Sequence, residues 1–370
     1  MTPGSILIST GEASGDTVGA ELLLEMRSRG FRGDAYAIGG RRLSEAGATI
    51  LEDSRRWAAM GIVQSLRVYP RVLAGFKRVK RKVREAPPRL VIAIDFGAFN
   101  VPLCRFAKRH GCSTLYFMPP GSWRRDTQGA DLSEIADRIA TPFEWSAELL
   151  RKSGAQAEWV GHPSAQLADR APYTERDRLA VLPGSRSHEI HENLAGIVPA
   201  LRILGDAVPP VAVVVAPTAD ETSLREIWRR HGGPEAEFVP GPSYETLKRS
   251  VAAVVCSGTA TLDAAVCHTP MVVVYRLTPL MALEGRLLGL HKKVKMIAMP
   301  SILLGRLAFP ELIHKQASPV AISERLLPLL TNTPERRTQL GAFEELSRLL
   351  GPRDAISRTA TLALETLGVG

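Results

Sequence analysis

The sequence predicts an α/β protein of two doubly wound domains whose ligand-binding turns face a common cleft. Apolar runs of strand length alternate with helical stretches along the chain. Three Gly- and Ser-containing turns each join such a run to a helix, and 370 residues are more than one hydrophobic core usually encloses.

In the first domain, residues 1–165, strands are expected at 5–8, 36–38, 90–94 and 114–117, with the short segment 138–141 continuing the sheet. The first strand feeds Gly11-Glu-Ala-Ser-Gly-Asp16 before a helix that begins near Thr17. A polar, proline-containing loop from Gly161-His-Pro163 to Thr174 separates this domain from a second, residues 166–334. There, strands are expected at 178–182, 211–215, 237–239, 251–255 and 271–275. Residues 335–370 read as helical, with Leu340, Phe343, Leu346, Leu349 and Leu350 on one face. That segment packs either back across the first domain or against a partner chain such as a second copy in a homodimer, and the sequence does not choose.

The stretch 254–276, VVCSGTATLDAAVCHTPMVVVYR, reads as strand, small-residue turn, helix and strand, a parallel βαβ unit. Its turn exposes backbone N–H groups at a helix N-terminus, where an anion such as a nucleotide diphosphate binds. Leu182-Pro-Gly-Ser-Arg186 is a second turn of this kind and ends on an arginine. Glycine and serine also occur at such turns for tight geometry and capping alone. Ligands of open parallel sheets bind outside the carboxyl ends of the strands, which places these turns together at a cleft.

A net charge of +9 and a pI near 9.6 suit nucleic acid, an anionic membrane or an anionic small substrate. The charge is local: Arg67, Arg71, Lys77, Arg78, Lys80, Arg81, Lys82 and Arg84 precede the first acid at Glu85. Val72, Leu73, Phe76, Val79 and Val83 recur among them at helical spacing. This is either an amphipathic helix lying on an anionic membrane surface or a helix with one face in the core and a solvated basic face. Aromatic interleaving for single-stranded nucleic acid is absent, so no nucleic-acid partner is expected. Cys104, Cys112, Cys256 and Cys267 form no CxxC pair, which suits a reducing compartment and gives no metal site. The N-terminus lacks the pattern of a signal peptide and the longest apolar runs are too short to span a bilayer, so a cytosolic or surface-attached protein is expected.

Several stretches together resemble the lipid-A-disaccharide synthases, glycosyltransferases of the GT-B type with two Rossmann-like domains. The matching motifs are Gly11-Glu-Ala-Ser-Gly-Asp16, Ala59-Met-Gly-Ile-Val63, Ile94-Asp95 with Phe99-Asn100, Gly161-His162, Leu182-Pro-Gly-Ser-Arg186, Ser257-Gly-Thr-Ala260, and Pro270-Met-Val-Val273 with Tyr275-Arg276. The resemblance implies transfer of 2,3-diacylglucosamine from its UDP derivative to 2,3-diacylglucosamine 1-phosphate, forming a β-1,6-linked disaccharide and UDP with inversion. It also implies a peripheral protein on the cytoplasmic face of the inner membrane, with a UDP-sugar donor and a glycolipid acceptor as its ligands. Four places depart from the family pattern. Ala98 stands where a second aspartate is typical, and Met118-Pro-Pro-Gly-Ser-Trp-Arg-Arg125 replaces a Ser-rich, Trp-Ala-Trp-containing loop. Asp263 stands for a glutamate, and Ser301, after Met299-Pro300, for an asparagine. Those departures leave room for a paralogue using another UDP-sugar or acceptor, for an epimerase acting on the donor alone, or for an inactive UDP-sugar-binding homologue.

An inverting transfer needs a base for the attacking hydroxyl, and Asp95, at the carboxyl end of an apolar strand, is the expected one; its alternative job is to cap the next helix. The expected donor-binding residues are Ser185, Arg186, Ser257, Gly258, Thr259, Asp263 and Arg276, with Arg186 as a forked donor to phosphate and Asp263 reaching the ribose. Gly11, Glu12, Ser14, Met60 and Asn100 are expected on the acceptor side, and His162 and Ser301 near the hinge. Val72, Leu73, Phe76, Lys77, Lys80 and Arg81 are the expected membrane contacts. No cofactor or metal ion is expected.

Overall fold

The computed structural model describes residues 1, 4–54, 57, 62–126, 131–241, 243–287 and 295–369. The chain divides into two compact units, Met1–Gln166 with Leu350–Gly370, and Leu167–Leu349.

The first unit carries a parallel sheet of β1 (Ile6–Ser9), β2 (Ala35–Gly39), β3 (Thr49–Asp53), β4 (Leu90–Ile94), β5 (Ser113–Phe117), β6 (Arg138–Thr141) and β7 (Ala157–Trp159). Their order is β3-β2-β1-β4-β5-β6-β7. The second sheet holds β8 (Arg178–Leu182), β9 (Val211–Val215), β10 (Ala236–Pro240), β11 (Ser250–Cys256), β12 (Met271–Tyr275) and β13 (Glu311–Ile313), in the order β10-β9-β8-β11-β12-β13. Each order reverses once, between β1 and β4 and between β8 and β11. A doubly wound sheet opens a ligand crevice at such a reversal, beyond the carboxyl ends of the strands. The turns named above all lie at these two points.

Central strands are apolar throughout because helices cover both faces; β4 and β9 are buried along their whole length. In the second unit, Ile190, Leu194, Ile197 and Leu201 form the stripe of the helix Ser187–Leu204 that seals one face of the sheet. β3 and β13 were not expected. Both are edge strands with partly exposed residues, so neither has the continuous apolar run that marks a buried strand.

The C-terminal segment divides later than expected. The helix Pro334–Leu350 belongs to the second unit, where both polar atoms of the Gln339 amide hydrogen-bond the Met271 backbone. The helix Ala355–Leu367 belongs to the first, on the helix Ala13–Ser28, with Arg29 Nη1 donating to Thr361 Oγ1 at 2.9 Å.

The basic helix spans Ile62–Glu85. Val79 and Val83 are fully buried, and Val72 and Phe76 pack with them against Phe99 and Leu103. This corrects the expectation for Val72 and Phe76, which face the first unit's core. Lys80 lies half-buried over the Phe106 ring at 4.4 Å, and Arg78 grips Glu52 through two hydrogen bonds. The open face keeps Tyr69 (62 % exposed), Leu73 (38 %), Lys77 and Arg81, four residues apart in succession. Among the described residues no helix is long and apolar enough to cross a membrane.

Candidate functional site

At the first reversal, Asp95 follows β4 and Gly11 to Asp16 follow β1. Asp95 and Phe96 both take left-handed backbone, φ 48° and 47°, a conformation that costs about 1–3 kcal/mol per non-glycine residue and persists only where surroundings impose it. Here they do. The Asp95 carbonyl accepts from Asn100 Nδ2 at 2.8 Å and from the Tyr116 hydroxyl at 2.8 Å. Asn100, fully buried, also donates to the Ile94 and Ser9 carbonyls and accepts from Ser9 Oγ, stitching the ends of β1 and β4 together. Its amide is spent on the backbone and on the Ser9 hydroxyl, so Asn100 shapes the turn from inside instead of meeting an acceptor as expected. Gly11 has a comparable task, since a Cβ there would collide with the Phe96 ring.

The Asp95 carboxyl is raised above the ordinary aspartate range. Partial desolvation is the main cause and the Glu12 carboxylate adds to it, while the Phe96 backbone hydrogen bond opposes both. Asp95 keeps accessible surface, so its desolvation is partial. Glu12 and Ser14 are exposed on the first turn of the helix. Asp16 is buried, and its carboxylate accepts from the Gly40, Arg42 and Leu43 N–H groups, capping the helix Arg41–Glu45. Met60 lies outside the described residues.

Ala98 is exposed. In the neighbouring loop, Trp145 Nε1 donates to the Ser122 carbonyl and the Arg125 guanidinium stacks 4.2 Å over the Trp145 ring. Burial pushes His162 down to about 4, so its ring is neutral at pH 7. Its Nδ1 accepts from Ser164 N at 3.2 Å, which assigns the ring proton to Nε2.

The second reversal carries two turns of different character. In the turn after β8, the Ser185 and Arg186 N–H groups donate to Glu189 Oε2 at 3.1 and 3.2 Å, and Arg186 Nη1 donates to Oε1 at 2.6 Å. Glu189 is only 3 % exposed. Gly184, at φ 126°, is needed because a Cβ would meet Glu189 Cβ at 2.7 Å. Donors expected to receive phosphate are therefore held by an internal carboxylate. Asn193 completes the scaffold, donating to the Pro183 carbonyl and accepting from Arg276 N.

The turn after β11 is open. Gly258, at φ 139°, is exposed, and a Cβ on it would meet nothing within 4 Å. Thr259, also exposed, begins the helix Thr259–Val266, whose N–H groups and dipole favour an anion by about 0.3–1 kcal/mol, or up to about 2 when partly buried. Asp263 lies one helical turn further on and accepts from the Tyr244 hydroxyl at 3.0 Å. Two other expected donor-side groups, and Ser301 expected near the hinge, are engaged internally. Ser257 Oγ donates to the Ile297 carbonyl, Arg276 Nη1 to the Ala317 carbonyl, and the buried Ser301 hydroxyl accepts from Ala308 N.

Comparison with known proteins decides the family. The family model described as lipid-A-disaccharide synthetase matches residues 6–364. The chain belongs to the lipid-A-disaccharide synthase family. The lipid-A-disaccharide synthase of Syntrophus aciditrophicus is 34% identical over 385 residues, covering 98% of each chain. Among solved structures, a UDP-GlcNAc 2-epimerase from Neisseria meningitidis bound to UDP-GlcNAc aligns with a TM-score of 0.58 at 11% identity over 100% of both chains. A glycotransferase of kitacinnamycin aligns with a TM-score of 0.60 at 14% identity, over 99% of this chain and 100% of that one. At such identities the likeness is one of fold: two parallel-sheet α/β domains of the GT-B kind. As a member of the lipid-A-disaccharide synthase family, the protein is a hexosyltransferase of lipid A biosynthesis.

Glu189, Asn193, Tyr116 and Tyr244 were missed by sequence reasoning. A signal existed for Glu189 alone: it stands three residues after Arg186, where a glutamate side chain reaches back to the N–H groups at a helix start.

Proposed function

We propose that the protein transfers 2,3-diacylglucosamine from its UDP derivative to the 6-hydroxyl of 2,3-diacylglucosamine 1-phosphate, forming the β-1,6-linked disaccharide and UDP. The observation that carries the mechanism is Asp95, an accessible carboxylate with a raised pKa, fixed on an imposed left-handed backbone. Asp95 accepts the proton of the attacking hydroxyl, the hydroxyl oxygen bonds to the anomeric carbon from the face opposite the diphosphate, and the bond to UDP breaks. The sugar inverts, and Asp95 afterwards releases its proton to solvent. The open start of the helix Thr259–Val266 takes the diphosphate, and Asp263 accepts from the ribose. Arg186, oriented by Glu189, contributes its remaining charge to the leaving group. Support for this division of labour is the contrast between the open Gly258 turn and the filled Gly184 turn.

UDP release by purified protein tests the reading. Release should require both acylated sugars and should fall by about 10²–10⁴-fold in Asp95→Asn, the usual worth of a positioned base. Release without acceptor would turn the reading toward an epimerase or hydrolase.

The protein also meets an anionic membrane surface, through Tyr69, Leu73, Lys77 and Arg81 on the open face of the helix Ile62–Glu85. Each cation near such a surface is worth about 1 kcal/mol. Lys77→Gln with Arg81→Gln should lower co-sedimentation with phosphatidylglycerol vesicles about tenfold or more, and unchanged sedimentation would remove this contact from the account.

A further inference from the structure

At the amino ends of the second sheet's strands, away from the ligand turns, two arginines converge. Arg176 lies just before β8; its Nη1 donates to the Ser250 carbonyl at 2.6 Å and to Thr269 Oγ1 at 3.2 Å, and its Nη2 to the Cys267 carbonyl at 2.9 Å. Arg336, in the first turn of the helix Pro334–Leu350, gives Nη1 to the Val251 and Leu329 carbonyls. Both residues are partly buried. Ser250 and Val251 begin β11, so the pair sits the length of that strand, about 20 Å, from the Gly258 turn.

Among the described residues no carboxylate pairs with either arginine. Asp177, beside Arg176, is taken by Arg178 and Arg249, and the other sequence neighbours, Glu175 and Glu335, are exposed and pair with neither. Carbonyl oxygens satisfy hydrogen bonds but leave the guanidinium charge unmatched. Arg336 is held below the ordinary arginine range, first by desolvation and then by the Arg176 charge, so the two cations are near enough to repel. Of its five N–H hydrogens, Arg336 spends two, both on Nη1, which leaves the Nε–Nη2 edge. Arg176 spends three and keeps Nε and one Nη2 hydrogen. None of these remaining donor atoms is buried. A guanidinium edge of this kind grips a phosphate through two parallel hydrogen bonds.

We propose that Arg176 and Arg336 form a binding site for a phosphate dianion, separate from the donor turns. A dianion between the two guanidinium groups supplies the counter-charge that both lack and replaces their repulsion with charge-assisted hydrogen bonds. Inorganic phosphate and a phosphate monoester share this chemistry. The site does not depend on the donor reading given above.

The test is equilibrium dialysis of inorganic phosphate against the full chain at low ionic strength, with UDP in excess, repeated with glycerol 3-phosphate. The wild-type protein should take up a single phosphate per chain with UDP present, and the probe held more tightly identifies the free or the esterified form as the ligand. Arg336→Gln removes charge and fork and should weaken uptake about tenfold or more, the worth of hydrogen bonds to a charged group. Arg336→Lys keeps the charge without the fork and should lose less; it carries the test if Arg336→Gln does not fold. UDP affinity should match the wild-type value in both variants, since the donor turns lie at the other end of β11. Three results overturn the inference: uptake unchanged in both Arg336 variants, uptake displaced by UDP, or uptake abolished by an equal concentration of chloride, which would mark an adventitious ion only.

Discussion

The two sheets share a strand order around their reversal points but present opposite chemistry there. The first unit offers carboxylates: Asp95 after β4, raised chiefly by desolvation, with Glu12 close enough after β1 to raise it further. The second offers donors: the N–H groups at the start of the helix Thr259–Val266, and an arginine oriented by a buried glutamate. On the proposed function, one topology delivers a proton acceptor in one unit and an anion site in the other, and the difference lies in a few residues at the strand ends. Within the second unit the contrast recurs on a smaller scale, since one turn supplies its own anion and its neighbour leaves the position open.

That smaller contrast can be broken by matched substitutions. Glu189→Ala takes the buried partner from the Ser185 and Arg186 N–H groups and from a partly buried guanidinium, which typically costs about 3–5 kcal/mol. Gly184→Ala adds a clash to a left-handed backbone and should cost about 2–5 kcal/mol. Gly258→Ala carries the backbone strain without a clash, about 1–3 kcal/mol. Denaturant unfolding reads all three, and UDP titration then sorts them. Gly258→Ala should weaken UDP about tenfold, about 1.4 kcal/mol, without affecting uridine. Equal stability losses at both glycines would erase the distinction between a filled and an open turn.

The smaller expected effect sharpens the contrast between the units. Glu12 raises the Asp95 pKa by like-charge repulsion. The acidic limb of the activity profile reflects protonation of the base, so Glu12→Gln should move that limb to lower pH. A limb that moves upward or stays in place would separate Glu12 from Asp95.

Most of the fold was legible in the sequence because parallel central strands are uninterrupted apolar runs, as in Leu90–Ile94 and Val211–Val215. β3 and β13 were not, because an edge strand is half-exposed and carries no such run. The stripe of the basic helix was legible as apolar, but its direction was not: Val72 and Phe76 meet the core, and only packing decides between a core and a lipid surface. The strand-end positions of Asp95 and the three turns were visible in the sequence. What the sequence hid is which donors are already taken. Whether Arg186 faces solvent or Glu189, and whether Asn100 meets a ligand or the ends of β1 and β4, depends on distances across the fold. Tyr244 gave no local signal at all, since its partner lies 19 residues away on another helix.

The proposed reaction is an inverting transfer between two acylated sugars. Its most direct test is the structure of the product formed from UDP-2,3-diacylglucosamine and 2,3-diacylglucosamine 1-phosphate, with the anomeric configuration and linkage read by NMR. A β-1,6-linked disaccharide 1-phosphate should form in step with UDP. An α-linked product, or free 2,3-diacylglucosamine in place of a disaccharide, would contradict it.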